Sequence, residues 1–198
     1  MKEINFLVTG VGGQGALLAS NVLAEVGVRA GYDVKKAEVH GMSQRGGSVT
    51  SHVRWGNAVK SPVIGQGEVD FLLSLEKLET LRYLTMLRPG GTVVVGEFEI
   101  SPLSVSSGDD RYPDDQEMGR VLKQLTDDYH FISTLTLARE VGNTRAHNVV
   151  LLGALSNFIP DVPPEVWMAV IKERVPKKHV ELNLQAFEAG VSCAMALK

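Results

Sequence analysis

Ile4-Asn5-Phe6-Leu7-Val8-Thr9-Gly10-Val11-Gly12-Gly13-Gln14-Gly15 is a short apolar run broken by glycines at the spacing G-x-G-x-x-G. Ile4 to Thr9 reads as a buried strand. Behind Gly15, Leu18, Val22 and Val26 recur every fourth residue, and Ala19 and Leu23 widen the stripe. A helix therefore follows, supported by Glu25 four residues before Arg29 and stopped at Gly31. A glycine turn between a strand and a helix lets the backbone bend sharply and approach a phosphate. The free amides and dipole of the helix start favour an anion there. The same glycines would equally serve a tight turn that binds nothing.

Downstream, Tyr32 to His40 contains a second strand and the polar residues 41–47 form a loop. From Ser48 to Trp55, Val49, Val53 and Trp55 alternate with Thr50, His52 and Arg54, and Gly56-Asn57 makes a turn before Val59. That pattern predicts a half-exposed hairpin at one edge of the sheet. Val69 to Ser74 is a buried strand, Leu75 to Leu87 a helix with Leu78, Leu81 and Leu84 on one face, and Thr92 to Val95 the next strand, reached through Arg88-Pro89-Gly90-Gly91. Strand, helix, strand implies parallel pairing. Ser101 to Asp115 reads as a surface loop, Glu117 to Leu125 as a helix and His130 to Ser133 as a last short strand. The C-terminal third carries helical patterns at Thr144 to Phe158, Pro164 to Arg174 and Lys178 to Ala196, separated by Pro160, Pro163, Pro164 and Pro176. The expected fold class is α/β: a three-layer α/β/α, Rossmann-like mixed sheet with an antiparallel edge hairpin, formed by residues 1–198 as a single unit with a helical C-terminal third.

The chain has 198 residues, of which 44% are hydrophobic and 22% charged, the balance of an ordinary globular protein. Twenty Lys+Arg against 23 Asp+Glu leave a net charge of -3, with no basic excess for nucleic acid or anionic membrane. The one cysteine, Cys193, excludes an internal disulfide, a Cys-only zinc site and a self-contained iron–sulfur cluster. The first residues are too soon interrupted by Gly10 for a signal peptide, and no apolar run approaches the ~20 residues of a membrane span, so a cytoplasmic location is expected.

Two loops could carry chemistry. The first comprises Gly10, Gly12, Gly13, Gln14 and Gly15, for which Glu38, closing the second strand, is the candidate acidic partner of a ribose. The second is the polar loop bearing Glu38, His40, Met42, Gln44, Arg45, Gly46 and Gly47, where Arg45 suits a carboxylate or phosphate, or is simply a solvated arginine. The carboxyl edge of a Rossmann-like sheet would bring both loops to one crevice. Other enzyme classes fail on spacing. No two of His40, His52, His130, His147 and His179 stand four residues apart as a helical zinc pair would. Ser43 and Ser192 lack the G-x-S-x-G elbow, and no G-x-x-x-x-G-K-[ST] loop occurs. Cys193 reads as an inert core thiol, His52 as a polar surface or subunit contact, and the Asp109-Asp110, Asp114-Asp115 and Asp127-Asp128 pairs as solvated.

Together, Gly10-Val11-Gly12-Gly13-Gln14-Gly15 and Glu38-Val39-His40-Gly41-Met42-Ser43-Gln44-Arg45-Gly46-Gly47-Ser48 resemble the gamma-type subunit of 2-oxoacid:ferredoxin oxidoreductases. The likeness continues through Leu87-Arg88-Pro89-Gly90-Gly91, Asn148 to Leu155, Val175-Pro176-Lys177-Lys178 and Asn183. The resemblance implies oxidative decarboxylation of a 2-oxoacid, indolepyruvate or another aryl pyruvate, with electrons passed to ferredoxin and the acyl group to coenzyme A. It also implies a larger alpha subunit holding thiamine diphosphate, magnesium and the iron–sulfur clusters. In this chain the only Gly-Asp pair, Gly108-Asp109, runs into Asp110 rather than a thiamine-type G-D-G, so the chain is expected to be inactive alone. By the same resemblance Gly12, Gly13, Gln14 and Gly15 form a phosphate-facing turn, with His40, Gln44 and Arg45 in the adjoining loop. Residue patterns alone also leave open a free-standing NAD(P)- or flavin-binding oxidoreductase and a scaffold without ligand.

Overall fold

A computed structural model of the chain describes residues 3–40 and 46–196. Its centre is a six-stranded sheet in the order β2-β3-β1-β4-β5-β6: β1 Ile4–Val11, β2 Asp33–His40, β3 Ser48–Gly56, β4 Val69–Ser74, β5 Leu87–Gly96 and β6 Tyr129–Ile132. β1, β4, β5 and β6 pair in parallel, while β3 runs antiparallel to both β1 and β2. Two reversals restore direction, so β2 ends at the same sheet edge as β1.

The central strands are apolar on both faces, as a covered sheet requires. Phe6, Val8, Leu73 and Val94 belong to one core; their neighbours Leu7, Leu72, Val93 and Val95 belong to the other. The first core is covered by α1 (Ala16–Arg29), α5 (Thr134–Glu140), α6 (His147–Ser156), α7 (Pro164–Arg174) and α8 (Val180–Met195), and the second by α2 (Lys77–Tyr83) and α4 (Asp115–Leu122). α3 (Leu103–Ser106) is a single exposed turn. All ten residues of α6 are buried, which matches its all-round apolar sequence. The three layers expected from the order of elements are therefore present, thick on one face and thin on the other.

Three local expectations are corrected. The hairpin does not turn at Gly56-Asn57. β2 and β3 form it, with His40 opposite Val49, and β2 is the edge. β3 is an inner strand, so its polar face is not solvated. His52 is buried, and its Nδ1 accepts a hydrogen bond from the Ile64 amide at 3.2 Å. Burial pushes the imidazole below its ordinary pKa. The helix read over Leu75 to Leu87 is α2 followed by a 3₁₀ turn, Leu84–Met86, and β5 already begins at Leu87. Of Leu78, Leu81 and Leu84 only Leu84 is buried; the inner face of α2 carries Lys77, Glu79 and Thr80. That face meets the polar segment after β5. Lys77 reaches Glu99 at 2.9 Å and Asp115 at 2.5 Å, and Glu76, buried at the helix start, accepts from the amides of Glu79 and Ile100 and from the Tyr112 hydroxyl. The Asp pairs are also partly engaged: Asp114 caps α4 and Asp128 accepts from Thr92.

Candidate functional site

The glycine loop is built from the inside outward. Gln14, only 7% exposed, folds back beneath it: its Oε1 accepts from the Val11 amide at 2.7 Å and its Nε2 donates to the Leu75 carbonyl at 3.3 Å. A side chain on Gly10 would press on both, with a Cβ 2.9 Å from Gln14 Oε1 and 3.0 Å from Leu75 Cβ. Gln14 thus braces the loop, and only its backbone is left to face an anion. Gly13 and Gly15 have φ of 105° and 85°, the left-handed region that favours glycine. Gly15 is the N-cap of α1 and makes no side-chain cap, and its carbonyl accepts from Asn148 Nδ2 at 3.2 Å. Gly13 has open space where a Cβ would be.

The second loop meets the first through glycine backbones. The Gly12 amide donates to the Gly47 carbonyl at 2.8 Å, and the Gly46 amide to the Gly12 carbonyl at 3.3 Å. Gly46 needs its φ of 75° to do so. With β2, β3 and β1 in register, His40, Val49 and Gly10 stand in one row across the sheet edge. The expected convergence of the loops is therefore present at Gly46 and Gly47. Met42, Gln44 and Arg45 lie outside the described residues, as does the side chain of His40. Glu38 is exposed, ion-paired with Lys36, and lines a 420 Å³ cleft with Val11, Gly12, Gly13, Gly15 and Val49.

Among the described residues the amides of Gly13 and Gly15 have no hydrogen-bond acceptor, and the first-turn amides of α1 have none within the helix. Such a set of donors, under the positive end of a 14-residue helix, can hold an anion. Sequence reasoning missed the residues that complete the surroundings from the C-terminal third. Asn148 buttresses Gly15, and His147 and Arg145 border the loop beside it. Their only local signal was a run of polar residues before an apolar helix, and no spacing rule connects them to a turn more than a hundred residues earlier.

The residues present do not suit the cofactors implied for the partner. Cys193 is alone and half-buried, with burial raising its thiol pKa, and no group of three or more His, Cys, Asp or Glu side chains placed to hold a metal occurs among the described residues. Gly108-Asp109 follows α3 in an exposed turn, where Asp109 accepts from Ser107 at 2.6 Å.

Known proteins are similar to this chain over nearly its whole length. The chain is 43% identical over 197 residues to the indolepyruvate oxidoreductase subunit IorB of Thermococcus kodakarensis, covering 98% of this chain and 97% of that protein. It is 38% identical to IorB of Archaeoglobus fulgidus, covering 98% and 96%. The gamma subunit of a keto/oxoacid ferredoxin oxidoreductase from Geobacter sulfurreducens has a similar structure, with TM-score 0.72, 25% identity and coverage of 98% and 99%. The fold also recurs within a 2-oxoglutarate:ferredoxin oxidoreductase from Magnetococcus marinus, with TM-score 0.73 and 24% identity, where it spans 32% of a longer chain. Residues 5–193 match pyruvate ferredoxin/flavodoxin oxidoreductase, and the chain belongs to that family.

Proposed function

We propose that this chain, residues 1–198 acting as one unit, is the non-redox subunit of a 2-oxoacid:ferredoxin oxidoreductase whose substrate is indolepyruvate or another aryl pyruvate. The observation that carries the reading is its end-to-end likeness to IorB subunits combined with a single, half-buried cysteine. A chain of this family that cannot ligate a cluster must work beside one that does. That partner is a larger alpha subunit supplying thiamine diphosphate, magnesium and the iron–sulfur clusters, from which ferredoxin takes the electrons. The complex is cytoplasmic in this reading, and no helix among the described residues is long and apolar enough to cross a membrane.

This chain's own part is to shape and close the site. Gly10 and Gln14 hold the turn rigid, Gly12 fastens it to Gly46 and Gly47, and the free amides of Gly13 and Gly15 receive a phosphate, that of coenzyme A in this reading. The loop of His40, Met42, Gln44 and Arg45, anchored at Gly46 and Gly47, faces the partner and the 2-oxoacid carboxylate. Co-purification from the native source tests the assignment: a larger, cysteine-rich, thiamine-binding chain should accompany this one. The isolated chain should be colourless and oxidise no 2-oxoacid with a dye acceptor. Turnover of indolepyruvate by this chain alone would refute the subunit reading. A flavin spectrum or a bound nicotinamide would instead support the free-standing oxidoreductase.

A further inference from the structure

The polar loop between β2 and β3 ends in Gly46-Gly47-Ser48, and its two glycines have no side chain to hold them. Glycine has more backbone freedom than any other residue, so this exit is only as well placed as the ties made to it. One tie is backbone to backbone, from Gly12 to both glycines. The other is made by side chains. Ser48 opens β3 opposite Val11 of β1, and its hydroxyl turns toward α2, where it donates to Glu79 Oε2 and lies 2.9 Å from the Tyr83 hydroxyl. A serine hydroxyl has one proton to give, so Tyr83 donates to Ser48. The hydrogen bonds thus run from Tyr83 through Ser48 to Glu79, each polarising the next.

Glu79 is itself held from two sides. Its Oε1 accepts from Arg82 Nε at 2.9 Å, and its amide donates to Glu76 Oε2 at 2.8 Å. Because Glu76 also accepts from the Ile100 amide and the Tyr112 hydroxyl, the carboxylate that grips Ser48 stands on a helix start tied to the segment after β5. Taking a carboxylate out of water is costly, and an apolar side chain would fill the same place more cheaply. α2 nevertheless buries Glu79, which is 4% exposed, and leaves Leu78 and Leu81 only half-buried. Hydrophobic burial alone would turn the leucines inward, so the carboxylate has a task that packing does not supply.

We propose that Glu79, acting through Ser48 and Tyr83, is a positioning residue that fixes the exit of the polar loop. It touches no substrate. The clamp stands on its own geometry, and it rests on the subunit reading only for what the loop then does, which is to meet the 2-oxoacid carboxylate. Slack at Gly46 and Gly47 should therefore weaken the hold on the 2-oxoacid. The glycine turn is braced separately by Gln14, so coenzyme A should be unaffected.

Two measurements test the clamp. Amide hydrogen exchange of the full chain reads the exit directly: Ser48→Ala should lower the protection of the Gly12 and Gly46 amides about tenfold, the factor a charge-assisted hydrogen bond is typically worth. The amides of β4, which report global unfolding, should change less. In the complex with its partner, Ser48→Ala and Glu79→Leu should each raise KM for the 2-oxoacid about tenfold, with KM for coenzyme A unchanged. Glu79→Gln keeps an acceptor for Ser48 and should recover most of the loss, and Tyr83→Phe, which leaves the bond from Ser48 to Glu79 intact, should lose less. Unchanged exchange at Gly12 and Gly46, an equal fall in β4 as in a merely less stable protein, or an unchanged KM for the 2-oxoacid would overturn the proposal. A parent complex that oxidises no 2-oxoacid would refute the subunit reading, and the exchange of Gly12 and Gly46 would still decide the clamp.

Discussion

Replacing Gly153 by alanine tests the packing that carries the C-terminal helices. α6 and α8 cross in backbone contact: a Cβ on Gly153 would stand 2.0 Å from the Phe187 carbonyl oxygen and 3.1 Å from the Val191 amide nitrogen. On the opposing helix a Cβ on Gly190 would stand 1.9 Å from the Val150 carbonyl oxygen. Real Cβ atoms essentially never come within 3.0 Å of such neighbours, so Gly153→Ala must push the helices apart by about 1 Å. The obstacle is backbone, which cannot rotate away. A gap of that width forfeits roughly a quarter to a half of the dispersion contact along the crossing. Overpacking of this kind costs typically 1–3 kcal/mol, and the upper end applies here because α6 is buried on every side. Alanine returns about 1 kcal/mol through its better helix propensity. The net loss is about 2 kcal/mol, equivalent to roughly 4–8 °C in Tm for a chain of this size. Thermal and urea unfolding of Gly153→Ala, Gly190→Ala and the double variant measure it. The double variant should lose less than the sum, since one separation serves both methyl groups. A Tm that is unchanged or raised, as propensity alone would give, would refute the close crossing.

Stability should also fall with acid. Burial holds His147 near a pKa of about 4 against an ordinary 6.5, outweighing the opposite pull of the Gln14 backbone. The unfolded chain therefore gains a proton that the folded chain refuses. The stabilisation is present above about pH 6.5 and is lost progressively toward pH 4, to the extent of roughly 3 kcal/mol, with His52 adding in the same direction. Denaturation midpoints across that window should flatten in His147→Gln, and an unchanged slope would contradict the burial argument. Tyr112→Phe removes the hydroxyl that donates to buried Glu76 and accepts from the Leu78 amide, and should cost about 2 kcal/mol in urea unfolding. Gly13→Ala meets no neighbour but must hold φ near 105°, so it should lose about 1–2 kcal/mol through backbone strain while circular dichroism stays native. Gly15→Ala adds a collision with Asn148 Nδ2 and should be the more damaging of the two.

Much was legible in the sequence because it is written locally. β4 spans Val69–Ser74 and α7 spans Pro164–Arg174, as their apolar runs and flanking breakers indicate, and the turn from β1 into α1 follows from glycines at fixed spacing. These are properties of neighbouring residues, which periodicity and turn chemistry capture. α5 escaped because Thr134–Glu140 is a seven-residue helix, too short to show a stripe. The place of β3 was beyond local reading. Its alternation fits either a surface hairpin or an inner strand, and what decides is the segment that brings Ile64 over His52.

The candidate site divides along the same line. The glycine motif, the loop after β2 and the single cysteine are properties of the sequence itself. Only the tertiary structure decided what each residue does. It turned Gln14 inward as a brace, closed Gly12 onto Gly46 and Gly47, and brought Arg145, His147 and Asn148 from the C-terminal third to the glycine turn. The reason is physical. A backbone conformation depends on a residue and its immediate neighbours. Burial, a buried hydrogen bond and the lining of a cleft depend on which distant segments pack there, and no spacing in the chain encodes that.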